Sequence, residues 1–313
     1  MKKVLVTSRS FGQIDDVPVA ILQNAGFEIV RMDYEKKAFS HALPDFDALI
    51  IGAHRLDPGD LENAKKLKIV CKHGAGLDNI PLADAARLGI AVTNVPGTNA
   101  GAVADLAMGL MLCLARRVLD SANQVKAGIW KPVMGVDVCG KTLGLLGFGA
   151  IARNVAQRAA GFSMRVLAYD PYLQAIPEGF SGVTLCSLEE VLQNADFLSL
   201  HLPLTGETRD MLKTPQLQSM KQGAYLINTA RGGIVNEADL REQLLSGHLA
   251  GAAVDVLERE GEWSDQPLLG LDNVIVTSHI GMYSKEAVGQ VSLICAQNTA
   301  AFFSGEPLRF LVR

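Results

Sequence analysis

Short apolar segments alternate with helical stretches along most of this 313-residue chain, and this alternation constrains the fold more than any other feature. Early apolar segments lie at 4–7, 27–30, 48–51, 69–71 and 91–93, and helices are predicted between them at 17–25, 59–66 and 82–88. Strands separated by helices of this length form βαβ units, in which helices cover both faces of a parallel sheet. The first part of the chain therefore predicts a parallel α/β domain.

A second alternation follows a break at 94–99, where Pro96, Gly97 and two asparagines interrupt the pattern. Apolar residues then recur at three- and four-residue spacing across 103–114, which predicts a long helix leading into a second domain. Beyond it, strands are predicted at 142–146, 165–169, 197–200, 224–228, 251–256 and 274–277. Six strands with intervening helices match a doubly wound nucleotide-binding domain.

The predicted architecture is α/β, with two Rossmann-like doubly wound parallel-sheet domains and a cleft between them. A final helix predicted at 284–303 returns toward the first domain. The first domain is therefore expected to be discontinuous, comprising residues 1–98 and 284–313, and to bind substrate. Residues 99–283 are expected to form the nucleotide-binding domain.

Composition argues against several classes of function. The net charge is −4, without the clustered basic residues that mark a nucleic-acid surface. The longest apolar run, 102–115, contains Asp105 and is too short to span a bilayer. No signal peptide is recognisable, and the five cysteines are scattered without metal-binding spacing. The expectations are a cytoplasmic location, reduced thiols, and no metal, membrane or nucleic-acid partner.

A glycine-rich turn joins the predicted strand at 142–146 to a helix. Gly147 makes the tight turn, Gly149 lets the backbone approach a pyrophosphate, and Ala152 fills the small position where the helix packs on the strand. The helix N-terminus favours an anion. Arg153, just beyond the turn, either touches phosphate or faces solvent.

Asp170 follows the next predicted strand, about 20 residues after the turn. A carboxylate at this position accepts hydrogen bonds from the adenosine ribose hydroxyls and repels a 2′-phosphate, so the sequence favours NAD over NADP. The alternative is that Asp170 merely begins the Asp-Pro turn at 170–171.

Three further segments each place a polar side chain after a predicted strand. Arg231 precedes two glycines, and its planar guanidinium group can bind a carboxylate together with a neighbouring carbonyl oxygen. His279 can exchange protons near neutral pH, and a carboxylate on one ring nitrogen would fix its tautomer. Glu260 lies in the segment between Arg231 and His279. Taken singly, each residue has a simpler explanation. Arg231 could form a surface ion pair, His279 could be a structural histidine, and Glu260 could be a solvated surface charge.

Taken together and in order, the motifs resemble the D-2-hydroxy-acid dehydrogenase family, especially its phosphoglycerate-dehydrogenase-like branch without a regulatory domain. The resemblance rests on Gly-x-Gly at 147–149, Asn-Thr-Ala-Arg-Gly-Gly at 228–233, Asp-Val-x-x-x-Glu at 255–260 and His-Ile-Gly at 279–281. It extends over nearly the whole chain, through matching segments at 74–80, 140–144 and 201–205.

The resemblance implies a role for each matching residue. Arg231 would bind the substrate carboxylate and carbonyl, His279 would exchange the hydroxyl proton, and Glu260 would orient His279 and keep it protonated when needed. Backbone N–H groups around Ala75 and Gly76 would hold the carboxylate, with Lys72 as a further substrate-binding residue. The implied cofactor contacts, among which Asp255 would receive the nicotinamide amide, are Gly147, Gly149, Ala150, Ile151, Asp170, His201, Pro203, Thr205, Thr229, Ala230, Asp255 and Gly281.

The implied activity is NAD-dependent hydride transfer that interconverts a small anionic 2-hydroxy acid and its 2-keto acid. Overall resemblance places 3-phosphoglycerate first, with glyoxylate, hydroxypyruvate or another 2-hydroxy acid as the alternative. Phosphoglycerate-type members tend to carry arginine at two positions that are Ile51 and Pro132 here. The side chains that could replace those arginines are Lys72, His54, Arg55 and Arg9.

An alternative of another class is a non-catalytic NAD-sensing protein, like the corepressors built on this fold. The joint presence of Arg231, Glu260 and His279 argues against it. The helix at 103–114 and the segment 121–130 resemble the family's dimer interface, so a homodimer is expected.

Overall fold

The structure, a computed structural model, describes residues 1–261 and 263–312. The chain divides into two compact units, residues 1–99 with 282–313, and residues 100–281. This division does not test the substrate-binding role expected of the first unit or the nucleotide-binding role expected of the second, so both stay predictions.

Strands and helices alternate through both units. The strands are β1 (Lys2–Val6), β2 (Phe27–Arg31), β3 (Ala48–Ile51), β4 (Ile69–Lys72), β5 (Ala91–Thr93), β6 (Thr142–Leu146), β7 (Arg165–Tyr169), β8 (Val183–Leu185), β9 (Phe197–Leu200), β10 (Ala224–Asn228), β11 (Leu249–Val254) and β12 (Val274–Val276). The helices are α1 (Val17–Asn24), α2 (Lys36–Ala42), α3 (Pro58–Asn63), α4 (Leu82–Arg87), α5 (Ala100–Arg116), α6 (Val118–Lys126), α7 (Ala150–Ala160), α8 (Leu188–Asn194), α9 (Thr214–Ser219), α10 (Glu237–Leu245) and α11 (Lys285–Ser304). A short 3₁₀ turn, Leu43–Asp45, follows α2.

The first unit is built on a parallel sheet in the order β2-β1-β3-β4-β5. Both β3 and β4 are buried along their whole length, as expected of strands covered on two faces. Successive side chains of β1 point to opposite faces: Leu5 packs with Phe39, whereas Val4 packs with Leu22 and with Val291 of α11. Two apolar layers therefore sandwich this sheet.

The second unit is built on a parallel sheet in the order β12-β11-β10-β9-β6-β7-β8. The strand order reverses between β9 and β6, the point at which open α/β sheets bind ligands outside the carboxyl ends of their strands. Because all pairings are parallel, the carboxyl ends of these strands meet at one edge of the sheet. The predicted site residues of this unit follow those ends.

The structure confirms the predicted pair of parallel α/β sheets and adds elements that the sequence pattern did not indicate. Within the described residues the second sheet has seven strands, whereas six were predicted. The additional strand, β8, is a short, partly exposed edge strand with a weak sequence pattern. Helix α2 was also not predicted, since it buries only Phe39. The strand predicted at 251–256 is Leu249–Val254, because the chain leaves the sheet at Asp255. The helix predicted at 59–66 ends at Asn63.

Within residues 1–261 and 263–312, no helix has the length and apolar character needed to cross a membrane. The same residues hold no group of three or more His, Cys, Asp or Glu side chains that could bind a metal ion.

Candidate active site

The loop that carries Arg231 is folded around the last residue of β10. Asn228 is buried; its Oδ1 accepts the Ala230 N–H at 3.0 Å and its Nδ2 donates to the Arg231 carbonyl oxygen at 2.9 Å. Arg231 Nη1 in turn donates to the Ala230 carbonyl oxygen at 2.7 Å. These local bonds hold the guanidinium close to the carboxyl end of β10.

The glycine after Arg231 lies directly against another loop. A Cβ built on Gly232 would lie 2.5 Å from Glu258 N, and closer still to the carbonyl group of Leu257. Real Cβ atoms do not approach other atoms this closely. Only glycine fits here, and its fit brings the Arg231 loop against the segment that leads to Glu260.

His279 and Glu260 are joined by a bifurcated hydrogen bond. His279 Nδ1 lies 2.9 Å and 3.0 Å from the two carboxylate oxygens, and both side chains are about two-fifths exposed. Because a carboxylate only accepts, Nδ1 carries the proton in this pair and Nε2 is left to exchange a proton with a ligand. The predicted proximity of the two side chains is therefore present, while their catalytic roles remain predictions.

A buried carboxylate fixes the loop on which His279 stands. Asp255 is 1% exposed, and its oxygens accept three hydrogen bonds: from Thr277 Oγ1 at 2.6 Å, and from the backbone N–H groups of Ile280 and Gly281 at 2.8 Å each. The His279 N–H donates to the Asp255 carbonyl oxygen at 2.8 Å. A carboxylate has about four lone-pair sites, so one remains for a ligand donor such as the predicted nicotinamide amide.

The glycine turn after β6 has the geometry of an anion cradle. Gly147 has φ 87°, and a Cβ on it would lie 2.7 Å from the His201 carbonyl oxygen. Gly149 is the N-cap of α7 without a side-chain cap, and a Cβ on it would meet nothing within 4 Å. The exposed Ala150 and the partly exposed Ile151 follow in the first turn of the helix. Their N–H groups are available to a phosphate at a helix N-terminus.

Asp170 both begins a turn and braces the glycine turn. Its Oδ1 accepts the Tyr172 N–H at 3.0 Å, and its Oδ2 accepts the Phe148 N–H at 2.9 Å. The carboxylate therefore lies beside the cradle, as a ribose-binding group must. Arg153 folds back on the same turn, since its Nε donates to the Phe148 carbonyl oxygen at 3.0 Å.

Two polar atoms at adjacent strand ends are buried without a partner among the described residues. They are His201 Nδ1, after β9, and Thr229 Oγ1, after β10. Burial lowers the pKa of His201 to about 3, so the ring is neutral, and its Nε2 lies 3.0 Å from Ser199 Oγ. Because buried polar atoms are rarely left unpaired, both point to a polar ligand at this edge.

Pro203 and Thr205 belong to a tightly bonded turn. The Thr208 hydroxyl donates to the Pro203 carbonyl oxygen at 2.6 Å, and the Thr205 N–H donates to Thr208 Oγ1 at 2.8 Å. Thr205 is exposed, and its predicted place along the cofactor stays a prediction.

In the first unit, the predicted substrate-binding loop follows β4. Lys72 is buried, and its Nζ donates to the Gly52 carbonyl oxygen at 2.6 Å and to Asn79 Oδ1 at 3.0 Å. Asn94 Nδ2 donates to the Ala75 carbonyl oxygen at 2.7 Å. This bond fixes the Ala75 carbonyl group, and the predicted role of the Ala75 and Gly76 N–H groups as carboxylate donors stays a prediction.

Several residues that hold the predicted site residues in place were not predicted from the sequence. Asn94, Thr277 and Ser199 act only through hydrogen bonds that form in the folded chain. A polar residue next to a predicted catalytic segment is the only sequence signal for them, and it is a weak one.

The arrangement in the second unit fits a dinucleotide. The open cradle at Gly149, the adjacent Asp170 carboxylate and the unpaired atoms of His201 and Thr229 lie along one sheet edge, at or beside its reversal point. This donor set suits pyrophosphate, ribose and an amide-bearing ring in turn.

Comparison with known proteins identifies the family. The sequence model for the D-isomer specific 2-hydroxyacid dehydrogenase, NAD binding domain, matches residues 108–281. The hydroxypyruvate reductase of Thermotoga maritima is 39% identical over 278 residues, which cover 87% of this chain and 90% of that protein. The D-3-phosphoglycerate dehydrogenase of Archaeoglobus fulgidus is 36% identical over 311 residues, which cover 98% of this chain but only 58% of that protein.

A solved structure agrees with these matches. The TT0316 protein from Thermus thermophilus has a TM-score of 0.91 at 35% identity, over 99% of this chain and 100% of that one. The resemblance inferred from the motifs, the NAD cofactor and the class of NAD-dependent oxidoreductase are thereby confirmed. The chain belongs to the D-isomer specific 2-hydroxyacid dehydrogenase family.

Proposed function

We propose that the protein reduces a small 2-keto acid without a phosphate group, of the glyoxylate and hydroxypyruvate class, with NADH. The observation that carries the catalytic part is the bifurcated hydrogen bond between His279 Nδ1 and the Glu260 carboxylate. It leaves the other ring nitrogen to act as acid and base on the substrate oxygen.

Bound NADH supplies the hydride to the carbonyl carbon. His279 delivers the proton from Nε2 to the carbonyl oxygen, and withdraws it from the hydroxyl group in the reverse direction. Glu260 orients the ring and stabilises its positive charge. Arg231 binds the carboxylate and polarises the carbonyl group of the substrate. General acid–base catalysis of this kind contributes about 10²–10⁴-fold.

The side chains that could bind a substrate phosphate support the unphosphorylated class. Ile51 is fully buried in the core of the first unit, so that position presents no group to a ligand. The Lys72 ammonium is buried and engaged by Gly52 and Asn79. Neither residue supplies the exposed cation that phosphate recognition requires.

The remaining side chains that could bind a phosphate are either neutral or already paired with a carboxylate. Burial lowers the pKa of His54 to about 4, and its ring stacks on Tyr34 with centroids 3.9 Å apart. Arg9 pairs with Asp33 at 3.2 Å, and Arg55 lies 3.7 Å from Asp57; both arginines are largely exposed. A phosphate would therefore displace existing partners. The second candidate substrate, 3-phosphoglycerate, is supported by the match to the Archaeoglobus fulgidus enzyme over 98% of this chain.

The test is NADH oxidation with glyoxylate, hydroxypyruvate and 3-phosphohydroxypyruvate at matched concentrations. We expect kcat/KM for hydroxypyruvate to exceed that for its phosphorylated analogue by at least about tenfold, or about 1.4 kcal/mol. The opposite ratio would favour 3-phosphoglycerate as the physiological substrate. Intact NADH binding without turnover of any keto acid would favour an NAD-sensing protein.

The proposed assembly is a homodimer, supported by an exposed apolar patch on the second unit. Helix α6 buries none of its residues, and the segment after it leaves Trp130 and Met134 almost 90% exposed. The patch consists of Val118, Leu119, Val125, Ile129, Trp130, Met134 and Val136. Exposed apolar side chains grouped in one segment favour an interaction site.

Light scattering coupled to gel filtration tests the dimer. The wild-type protein is expected at twice the mass of one chain, and the double variant Trp130→Glu, Met134→Glu at the mass of one chain. A wild-type protein that runs as a monomer would contradict the proposal. A Tyr172→Glu variant, which alters an exposed side chain outside the patch, is the matched control.

The proposed location is the cytoplasm. The five cysteines are free thiols in the structure, and reduced thiols are the rule in that compartment. Cell fractionation with detection of the native protein tests this location.

A further inference from the structure

The backbone that leads to Glu260 is in direct contact with the loop that carries Arg231. Gly232 packs against the peptide that joins Leu257 and Glu258, with no room for a side chain. Movement of this peptide would displace Gly232 and with it the neighbouring Arg231. It would also displace Glu260, which follows Glu258 by two residues. One peptide group therefore lies between two of the three catalytic side chains.

A carboxylate with no role in the proposed reaction holds this peptide. Glu237 Oε1 accepts the Glu258 N–H at 2.7 Å. Glu237 is the first residue of α10, whose N-cap, Asn236, accepts the Asp239 N–H at 3.1 Å and donates its own N–H to the Leu212 carbonyl oxygen at 3.0 Å. The Glu237 side chain thus ties the peptide to the anchored end of a helix.

The surroundings of Glu237 strengthen this bond. The side chain is half-buried, and burial raises the pKa of its carboxyl group above the ordinary value, while the Glu258 N–H acts in the opposite direction. A hydrogen bond to a carboxylate is stronger where water is partly excluded. The carboxylate of Glu258 itself is paired elsewhere, with Arg209 Nη1 at 3.2 Å.

Arg209 completes the enclosure of the glycine turn. The same Nη1 would lie 3.2 Å from a Cβ built on Gly233, the second glycine after Arg231. The turn is therefore packed against the peptide held by Glu237 and against the guanidinium held by Glu258.

We propose that Glu237 is a positioning residue, whose carboxylate fixes the Leu257–Glu258 peptide and thereby sets the placement of Arg231 and Glu260. The inference rests on the proposed dehydrogenase function. Glu237 acts on them through its hydrogen bond to the Glu258 N–H, which holds the peptide between the two loops.

The experiment compares Glu237→Ala, Glu237→Asp and Glu237→Gln with the matched control Glu190→Ala. Glu190 also accepts a backbone N–H near a helix N-terminus, from Ser187 at 2.9 Å, but it belongs to the capping box of α8. Because small misplacements of catalytic groups reduce the rate strongly, Glu237→Ala is expected to lower kcat by about ten- to a hundredfold. The NADH dissociation constant should stay within about twofold of the wild-type value.

The conservative variants separate positioning from general stability. Glu237→Asp keeps the charge but shortens the side chain, and it is expected to behave like Glu237→Ala. Glu237→Gln keeps the Oε1 acceptor, and it is expected to retain kcat within about threefold. Glu190→Ala should lower Tm and leave kcat unchanged. A wild-type kcat in Glu237→Ala, or an equal loss of kcat in Glu190→Ala, would overturn the proposal.

Amide hydrogen exchange gives a readout that needs no turnover. Exchange at the Glu258 N–H is expected to accelerate in Glu237→Ala and Glu237→Asp but not in Glu190→Ala, and unchanged protection would overturn the proposal. If the wild-type protein turns over no keto acid, the proposed function fails. The exchange measurement then decides by itself whether Glu237 holds the peptide.

Discussion

Replacing Gly232 by alanine is expected to slow catalysis strongly in a protein that still folds. The added Cβ would lie 2.5 Å from Glu258 N and still closer to the Leu257 carbonyl group. Non-bonded heavy atoms prefer separations of about 3.5 Å or more, so the two loops must separate by at least about 1 Å. Both conflicting partners are backbone atoms, which cannot move aside as a flexible side chain can.

The expected loss of rate follows from the catalytic side chains on the two loops, Arg231 on one and Glu260 on the other. Overpacking of this kind costs about 1–3 kcal/mol of stability, which a domain of ordinary stability survives. A 1 Å misplacement of catalytic groups costs about 10²-fold in rate, equivalent to about 2.7 kcal/mol. Gly232→Ala is therefore expected to fold, to bind NADH, and to lose about 10²-fold in kcat because Arg231 and Glu260 move apart.

The assay measures kcat with hydroxypyruvate, Tm by circular dichroism and NADH affinity by fluorescence. Gly182→Ala is the matched control, because Gly182 lies in the same unit as Gly232 and a Cβ built on it would meet nothing within 4 Å. The control should match the wild-type protein in all three measurements. If Gly232→Ala retained kcat within about twofold of the wild-type value, the contact between the loops would not set the catalytic geometry.

Three further predictions concern the catalytic base, the cofactor preference and the response to acid. His279→Ala is expected to lower kcat by about 10²–10⁴-fold with unchanged NADH affinity, because the ring exchanges the substrate proton; an unchanged kcat would remove His279 from the mechanism. Asp170→Ala is expected to raise kcat/KM with NADPH relative to NADH, because the carboxylate that repels a 2′-phosphate is lost; an unaltered ratio would reject the ribose role. Burial lowers the native pKa of His54 to about 4, below its unfolded value of about 6.5, so the unfolded state takes up the proton first as the pH falls. Urea unfolding should show that His54→Phe reduces the loss of stability between about pH 7 and about pH 5, by up to about 2 kcal/mol; an unchanged loss would show that His54 titrates normally.

The sequence predicts the fold well because buried parallel strands carry a strong local pattern. The strands at 142–146, 165–169, 197–200 and 224–228 have the predicted limits, since each is a short apolar run next to a turn. The site is predictable for the same reason: polar residues that follow parallel strands meet at one edge. The contact between His279 and Glu260 agrees with the role that the family resemblance implies for Glu260.

The contacts that fix the site could not be read from the sequence. The close approach of Gly232 to the Leu257 carbonyl group joins residues that are distant in the chain, and no local pattern marks it. The bond from the Glu258 N–H to Glu237 likewise depends on how two loops pack. Strand β8 was missed because a short, partly exposed edge strand has little periodicity.

The backbone of His279 has a consequence for protein engineering. Its φ of 55° is in the left-handed region, where a residue with a Cβ is less stable than glycine by about 1 kcal/mol. His279→Gly is thus expected to raise the melting temperature relative to His279→Ala while losing kcat to the same extent. A screen for thermostable variants that measures folding alone would therefore select glycine at position 279, and the selected protein would lack the catalytic imidazole. A screen that also requires turnover would retain His279.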